Sequence, residues 1–287
     1  MMGKIGIIGG SGLYDMEGLE DRRWVKVNTP FGKPSDKFLL AKLEGREIVF
    51  LPRHSRGHKI LPSGINYRAN IYGMKLLGVE RIISVSACGS LKEEIKPLDF
   101  VIPTQFVDRT NQARKYTFFD QGIVVHISFS KPACPELSQL LYDTVKGQGF
   151  RVHFEATYLN MEGPQFSTLA ESNLYRSWGI DIIGMTNMAE ARLAREAEIC
   201  YTTLAAVTDY DCWHPSHDEV NAELVIKNLL KNVENAKKIL RAFIPKISSE
   251  RKCLCRDALK NSIVTPKRVI PYRIRKKLSL LIKDRLS

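Results

Sequence analysis

Two carboxylates, Asp209 and Asp211, close the stretch YTTLAAVTDYDCW (201–213), after a run of small and β-branched residues built for burial. In an extended chain alternate side chains share a face, so the two acids are expected to point the same way. Neighbouring like charges raise the pKa of at least one of them. Such a pair suits a nitrogenous base: the protonated acid donates to a ring nitrogen, and the ionised one accepts from an exocyclic amine. The competing reading has Asp211 capping the next segment and Asp209 in a polar turn.

Other residues suited to chemistry also fall where strands should end. Arg53 and His54 close REIVFLPRH (46–54) and lead into a segment rich in Arg, His, Ser and Asn (55–70). A guanidinium fork and an imidazole suit phosphate, although a solvated basic turn would look the same. Ser86 and Thr186 are hydroxyls at two further strand ends and tilt the balance toward an oxyanion site. The loop GIIGGSG (6–12) could turn backbone N–H groups toward an anion. It matches neither G-x-G-x-x-G nor the Gly-Lys-Ser/Thr of a P-loop, so a plain tight turn stays open. MEGPQFST (161–168) places Phe166 and Ser167 after a Gly-Pro turn; the ring is either ordinary core or a platform for a heterocycle or sugar face.

The elements that must carry these residues alternate between strands and helices. Strands are expected at 4–10, 46–54, 81–90, 98–108, about 156–161, 181–186 and 199–209, with helices at 66–78, 169–179 and 187–198. An amphipathic helix is expected over 221–243. That order implies an α/β fold with a largely parallel sheet, a class in which ligands gather at the carboxyl ends of strands. A catalytic domain over 1–248 and a basic helical extension over 249–287 describe the chain, which has no internal repeat or low-complexity linker.

With 287 residues, 44% hydrophobic and 26% charged, the chain has the composition of an ordinary globular protein. No apolar run is long enough to cross a bilayer, and no secretory leader is evident, so a cytoplasmic location is expected. The net charge of +12 is not spread over the body. Residues 251–287 carry twelve Lys or Arg against two acids, giving +10 and leaving +2 for the rest. Contact of this tail with nucleic acid or an anionic membrane surface competes with simple packing, in which Ile274, Leu278, Leu281 and Ile282 would share one helical side. Six cysteines are scattered without C-x-x-C spacing, which argues against zinc and for reduced thiols, with Cys253-Leu254-Cys255 as a candidate redox pair.

In order, KIGIIGGSGLYD (4–15), TPFGKPSD (29–36), RHSRGHKILPSGINYRAN (53–70), SACGSLKEEI (86–95), NMEGPQFSTLAES (160–172), GMTNMAEARLAREAEICY (184–201) and TDYDCW (208–213) resemble the 5′-methylthioadenosine phosphorylase family. This is a trimeric branch of the purine nucleoside phosphorylase superfamily, and the resemblance spans about residues 3–265. It implies a single-domain phosphorylase fold, with a central mixed sheet flanked by helices, that cleaves a nucleoside with inorganic phosphate. The resemblance implies no metal or organic cofactor and a homo-oligomer, a trimer or a dimer of trimers. It assigns phosphate to Ser11, Arg53, His54, Ser86, Ala87 and Thr186, and the ribose to Met185. Phe166 and Ser167 would flank the purine, and Asp209 and Asp211 would read its N7 and 6-amino edge. His126 would reach the 5′ end of the sugar in a neighbouring subunit, and Ala222 and Val225 would line the 5′ pocket. Asp209 and Ser167 stand where the 6-oxopurine branch has Asn and Glu, which implies adenine nucleosides over hypoxanthine ones. Ala222 replaces a larger aliphatic residue, which implies a wider 5′ pocket able to admit adenosine. Heat-stable relatives form disulfides from cysteines like Cys253 and Cys255, which implies at least one bridge among Cys134, Cys200, Cys253 and Cys255.

Overall fold

The computed structural model describes residues 3–10, 12–111, 114–215 and 222–286, with side chains from residue 226 onward in the last stretch. Ser11 and the side chains of Ala222 and Val225, all expected at the site, lie outside the described residues. The most buried strands form the middle of the sheet. These are β1 (Lys4–Gly9), β4 (Arg46–Pro52), β5 (Val79–Ser90) and β9 (Cys200–Asp209). β1 pairs in parallel with β4 and β5, and β5 pairs in parallel with β9. Near-continuous apolar runs are what a parallel strand covered on both faces requires.

The sheet is mixed. β2 (Glu20–Val25) and β3 (Phe38–Leu43) extend one edge antiparallel, up to β4. Neither was legible in the sequence, although the two-residue loop Glu44-Gly45, with φ of 49° and 72°, is the turn that a tight β3–β4 hairpin demands. At the other side β6 (Phe100–Arg109), β7 (Val152–Met161) and β8 (Ile182–Gly184) complete a ring: β5–β8–β7–β6–β9 and back to β5. The β5–β8 and β6–β9 pairs are antiparallel. The sequence pattern therefore overstated the parallel character, because strand direction is decided by non-local pairing.

Helices cover both faces. α1 (Tyr67–Leu76), capped by the Asn66 side chain, and α4 (Asn187–Glu196) pack on one face. α2 (Pro135–Gly147) and α5 (Ala222–Phe243) pack on the other, with α3 (Leu169–Ser177) beside β7 and β8. The C-terminal helices α6 (Tyr272–Lys277) and α7 (Ser279–Ile282) join the α1–α4 face, burying Ile274, Leu278, Leu281 and Ile282 in the same apolar cluster. No described helix is long and apolar enough to cross a membrane.

Candidate active site

The carboxyl ends of β1, β4, β5, β8 and β9 converge on one cavity of about 540 Å³, within the range of small-molecule sites. Arg53, His54, Ser86, Ala87, Phe166, Met185, Thr186, Asp209 and Asp211 all line it.

At one end the cavity is suited to an anion. The Ser86 hydroxyl is buried and has no hydrogen-bond partner among the described residues. An orphaned buried hydroxyl carries a desolvation cost that a bound ligand can relieve. Thr186 caps α4 without a side-chain cap bond, so the positive end of that helix opens beside it. Gly10 also lines the cavity.

Arg53 is placed differently from the expectation of a freely presented phosphate fork. Its Nε donates to Glu190 Oε1 at 2.5 Å, and Nη2 donates to Ser84 Oγ at 2.5 Å and Glu190 Oε2 at 3.1 Å. Nη1 donates to the Val85 carbonyl at 3.0 Å, which leaves one of the five guanidinium N–H groups uncommitted. Burial opposes its charge, and Glu190 more than restores it. Arg53 is first an ion-paired strut and only then a source of positive field. His54 is held neutral: burial, then Arg53, hold its pKa down at about 4. Its Nδ1–H donates to the Ile60 carbonyl at 2.7 Å in this neutral state, which leaves Nε2 as an acceptor. His58, which the sequence reading did not single out, stacks on His54 with centroids 4.4 Å apart.

The other end carries the acids. Asp209 and Asp211 are buried in the cavity wall, but the route differs from strand alternation. β9 stops at Asp209, and Asp211 lies in a turn with φ of 52°. The Asp211 N–H donates to Asp209 Oδ1 at 2.8 Å, and Thr208 Oγ1 donates to Asp209 Oδ2 at 2.6 Å. Burial raises the Asp209 pKa to about 6 against the pull of these donors, and the Asp211 charge contributes less than any of them. Burial likewise raises Asp211, whose Oδ2 has no hydrogen-bond partner among the described residues. Gly89 on β5 is required here, since a Cβ would sit 2.9 Å from Asp209 Oδ1.

Met185 also lines the cavity, and Phe166, a lining residue that is 42% exposed, is excluded from the core. Ser167 is buried: its carbonyl accepts from the Cys212 thiol at 3.3 Å, and its side chain is not part of the cavity lining. α5 closes one side through Leu229, Asn232 and Val233, further along the helix than the expected Ala222 and Val225. Asn228 and Asn232 fix it by donating to the Thr208 and Val207 carbonyls at 2.6 and 2.9 Å. His126 is exposed and outside this cavity, its backbone N–H donating to the Ser262 carbonyl.

The fold and this two-ended site define a class, the phosphorylase superfamily, whose family model matches residues 4–245. S-methyl-5′-thioadenosine phosphorylase of Geobacter sulfurreducens is 57% identical over 97% of each chain, and that of Koribacter versatilis is 56% identical over 98% of this chain and 96% of its own. A crystal structure of methylthioadenosine phosphorylase from an Antarctic soil metagenomic library superposes with a TM-score of 0.93 at 48% identity, covering 98% of this chain and 99% of that one. An adenosine/methylthioadenosine phosphorylase variant from Schistosoma mansoni, solved with adenine, gives 0.82 at 33% identity over 98% of both chains. The chain belongs to the S-methyl-5′-thioadenosine phosphorylase family of the phosphorylase superfamily.

Proposed function

We propose that the chain cleaves 5′-methylthioadenosine with inorganic phosphate, giving adenine and 5-methylthioribose 1-phosphate. The observation that carries the reading is the single cavity with an orphaned hydroxyl and a helix N-terminus at one end and two buried carboxyls at the other. Phosphate at the Ser86–Thr186 end, with Ala87 and Ser11 beside it, faces the ribose C1′ over Met185. The glycosidic C–N bond breaks as positive charge builds on the sugar, and a phosphate oxygen forms the new bond to C1′. Neutral His54 offers Nε2 to a phosphate O–H, and Arg53 supplies positive field. Asp209, titrating at about 6, delivers its proton to the departing purine at N7, help typically worth ~10²–10⁴-fold. Asp211 accepts from the 6-amino group, Phe166 covers the base, and Ser167 sits behind it. Nucleophile and acid suffice for the step, so no cofactor is assigned a part in it.

The same reading makes the enzyme a cytoplasmic homotrimer, in which His126 of one subunit completes the 5′ end of the next and Ala222 and Val225 shape the 5′ pocket. The test is a phosphate-dependent release assay with 5′-methylthioadenosine, adenosine, inosine and 5′-methylthioinosine. Adenine nucleosides should be cleaved in preference to hypoxanthine ones, because a 6-oxo group would face Asp211 lone pair to lone pair. Asp209→Asn should lose 5′-methylthioadenosine turnover and gain on inosine. Free base released from none of the four would refute the assignment, and cleavage of adenosine as fast as of the thioether would assign a broader nucleoside range.

A further inference from the structure

At the far end of β9 from the acids, four cysteines from three separate chain segments meet. Cys134 precedes α2, Cys200 opens β9, and Cys253 and Cys255 bracket Leu254. All four Sγ atoms lie within 4.8 Å of one another, with Cys200 and Cys253 at 3.3 Å. All four are free thiols rather than the bridge that the family resemblance implied, and only Cys253 is more than marginally accessible. The lack of C-x-x-C spacing, which argued against zinc, carries no weight for ligands contributed by distant segments.

We propose that this cluster is a mononuclear tetrathiolate site that holds Zn²⁺. Zinc bound to four thiolates at about 2.3 Å in a tetrahedron sets its sulfurs roughly 3.8 Å apart, a spacing that these four Sγ atoms can adopt with small rotations. On binding, four S–H bonds release their protons to solvent and four Zn–S bonds form, leaving a net charge of −2 on the centre. Two features favour that charge. Arg81, opposite Cys200 in the β5–β9 register, shares a small hollow with Cys134 and Cys200. Its Nη1 is buried without a hydrogen-bond partner among the described residues, the Glu80 carboxylate lying 3.6 Å off. Cys134 also stands at the positive end of α2, where thiolates are favoured. Glu136 on the first turn of α2 accepts from the backbone N–H groups of Lys252 and Cys253, both at 3.1 Å, and so holds the Cys-Leu-Cys loop against the cluster.

The site is structural. β9 spans ten residues from Cys200 to Asp209, about 30 Å at strand rise, so the metal stays clear of the cavity and fastens the C-terminal segment to the sheet. The test uses the full chain, purified with reductant and without chelator and reconstituted with ZnCl₂. Elemental analysis should find one zinc per chain, and Co²⁺ exchange should give thiolate-to-cobalt charge-transfer bands with tetrahedral d–d absorption. Cys253→Ser with Cys255→Ser should lose both metal and bands, and a chelator should lower the melting temperature while leaving the KM for nucleoside unchanged below it. If the double variant does not fold, the cobalt spectrum of the unmodified chain decides. Absence of stoichiometric zinc after reconstitution overturns the proposal. So does a mass deficit of two hydrogens per bridge in the reductant-purified protein, which would assign disulfides instead. Iron in place of zinc would overturn the choice of metal.

Discussion

Asp209 reaches a pKa of about 6 chiefly because it is buried at the end of a strand, with a hydroxyl and an N–H holding it partly down. A raised folded-state pKa means that the folded protein prefers the protonated acid. The associated stability is therefore full below the unfolded value of about 3.8 and lost as pH rises through about 6. Asp209→Asn should accordingly be more stable than the parent at pH 8, by up to about 3 kcal/mol. The gap should shrink toward pH 5 and vanish below 4, as read by denaturant unfolding at each pH. A gap that does not change with pH would mean that Asp209 is not the strained acid. In the unsubstituted enzyme kcat/KM should decline above about pH 6, as the proton that N7 needs is lost. Ser86 offers a second test. Its hydroxyl has no hydrogen-bond partner among the described residues, so Ser86→Ala should raise the KM for phosphate roughly 10- to 100-fold, the worth of a hydrogen bond to a charged group. The KM for nucleoside should move far less. Initial-rate kinetics with each substrate varied in turn separates the two.

At the scale of elements, Glu190 on α4 is the joint between four parts of the fold. Besides Arg53 at the end of β4, it accepts from Ser84 on β5 at 2.8 Å and from the Tyr201 hydroxyl on β9 at 3.0 Å. Glu190→Ala leaves the Arg53 guanidinium buried and unpaired, a loss of about 3–5 kcal/mol, measurable by urea unfolding. The KM for phosphate should rise with it, since Arg53 and the α4 N-terminus would no longer be held to the β4 and β5 ends. Sequence alone could not show that Arg53 is ion-paired, because its partner Glu190 lies 137 positions away. The neutrality of His54 was not legible for the same kind of reason: its charge is decided by burial and by Arg53 beside it. By contrast α1 was legible nearly to the residue, from the Asn66 cap to Gly78 with φ of 82°, because both signals are local.

At the scale of the whole molecule, the basic tail behaves as part of the body. Ile270, Ile274, Leu278, Leu281 and Ile282 are each no more than 5% exposed and pack with α1 and α4. A chain ending at Pro266 would uncover that face at about 1.5–3 kcal/mol per side chain. It should melt well below the full chain or aggregate, by calorimetry and light scattering. A truncated protein as stable as the full chain, with lost affinity for polyanions, would instead make the tail a binding arm. Part of the excess charge lies on α6, where Arg273 and Lys276 are exposed beside buried Ile274, as bases on an amphipathic helix are.

The sequence by itself determined the order of most strands and helices, the location of the net charge, and that Arg53 and Asp209 stand at strand ends, although Ser86 lies within β5 rather than at its end. These follow from periodicity, caps and counts along the chain. Its motifs also carried the family. Tertiary structure decided what depends on distant partners: the antiparallel edge formed by β2 and β3, the ring closed by β5 and β9, and the commitment of Arg53 to Glu190. It also brought Asp211 into the cavity through a left-handed turn rather than through strand alternation, and gathered four cysteines from three segments. Burial and charge compensation are properties of neighbours in space. No reading along one dimension supplies them.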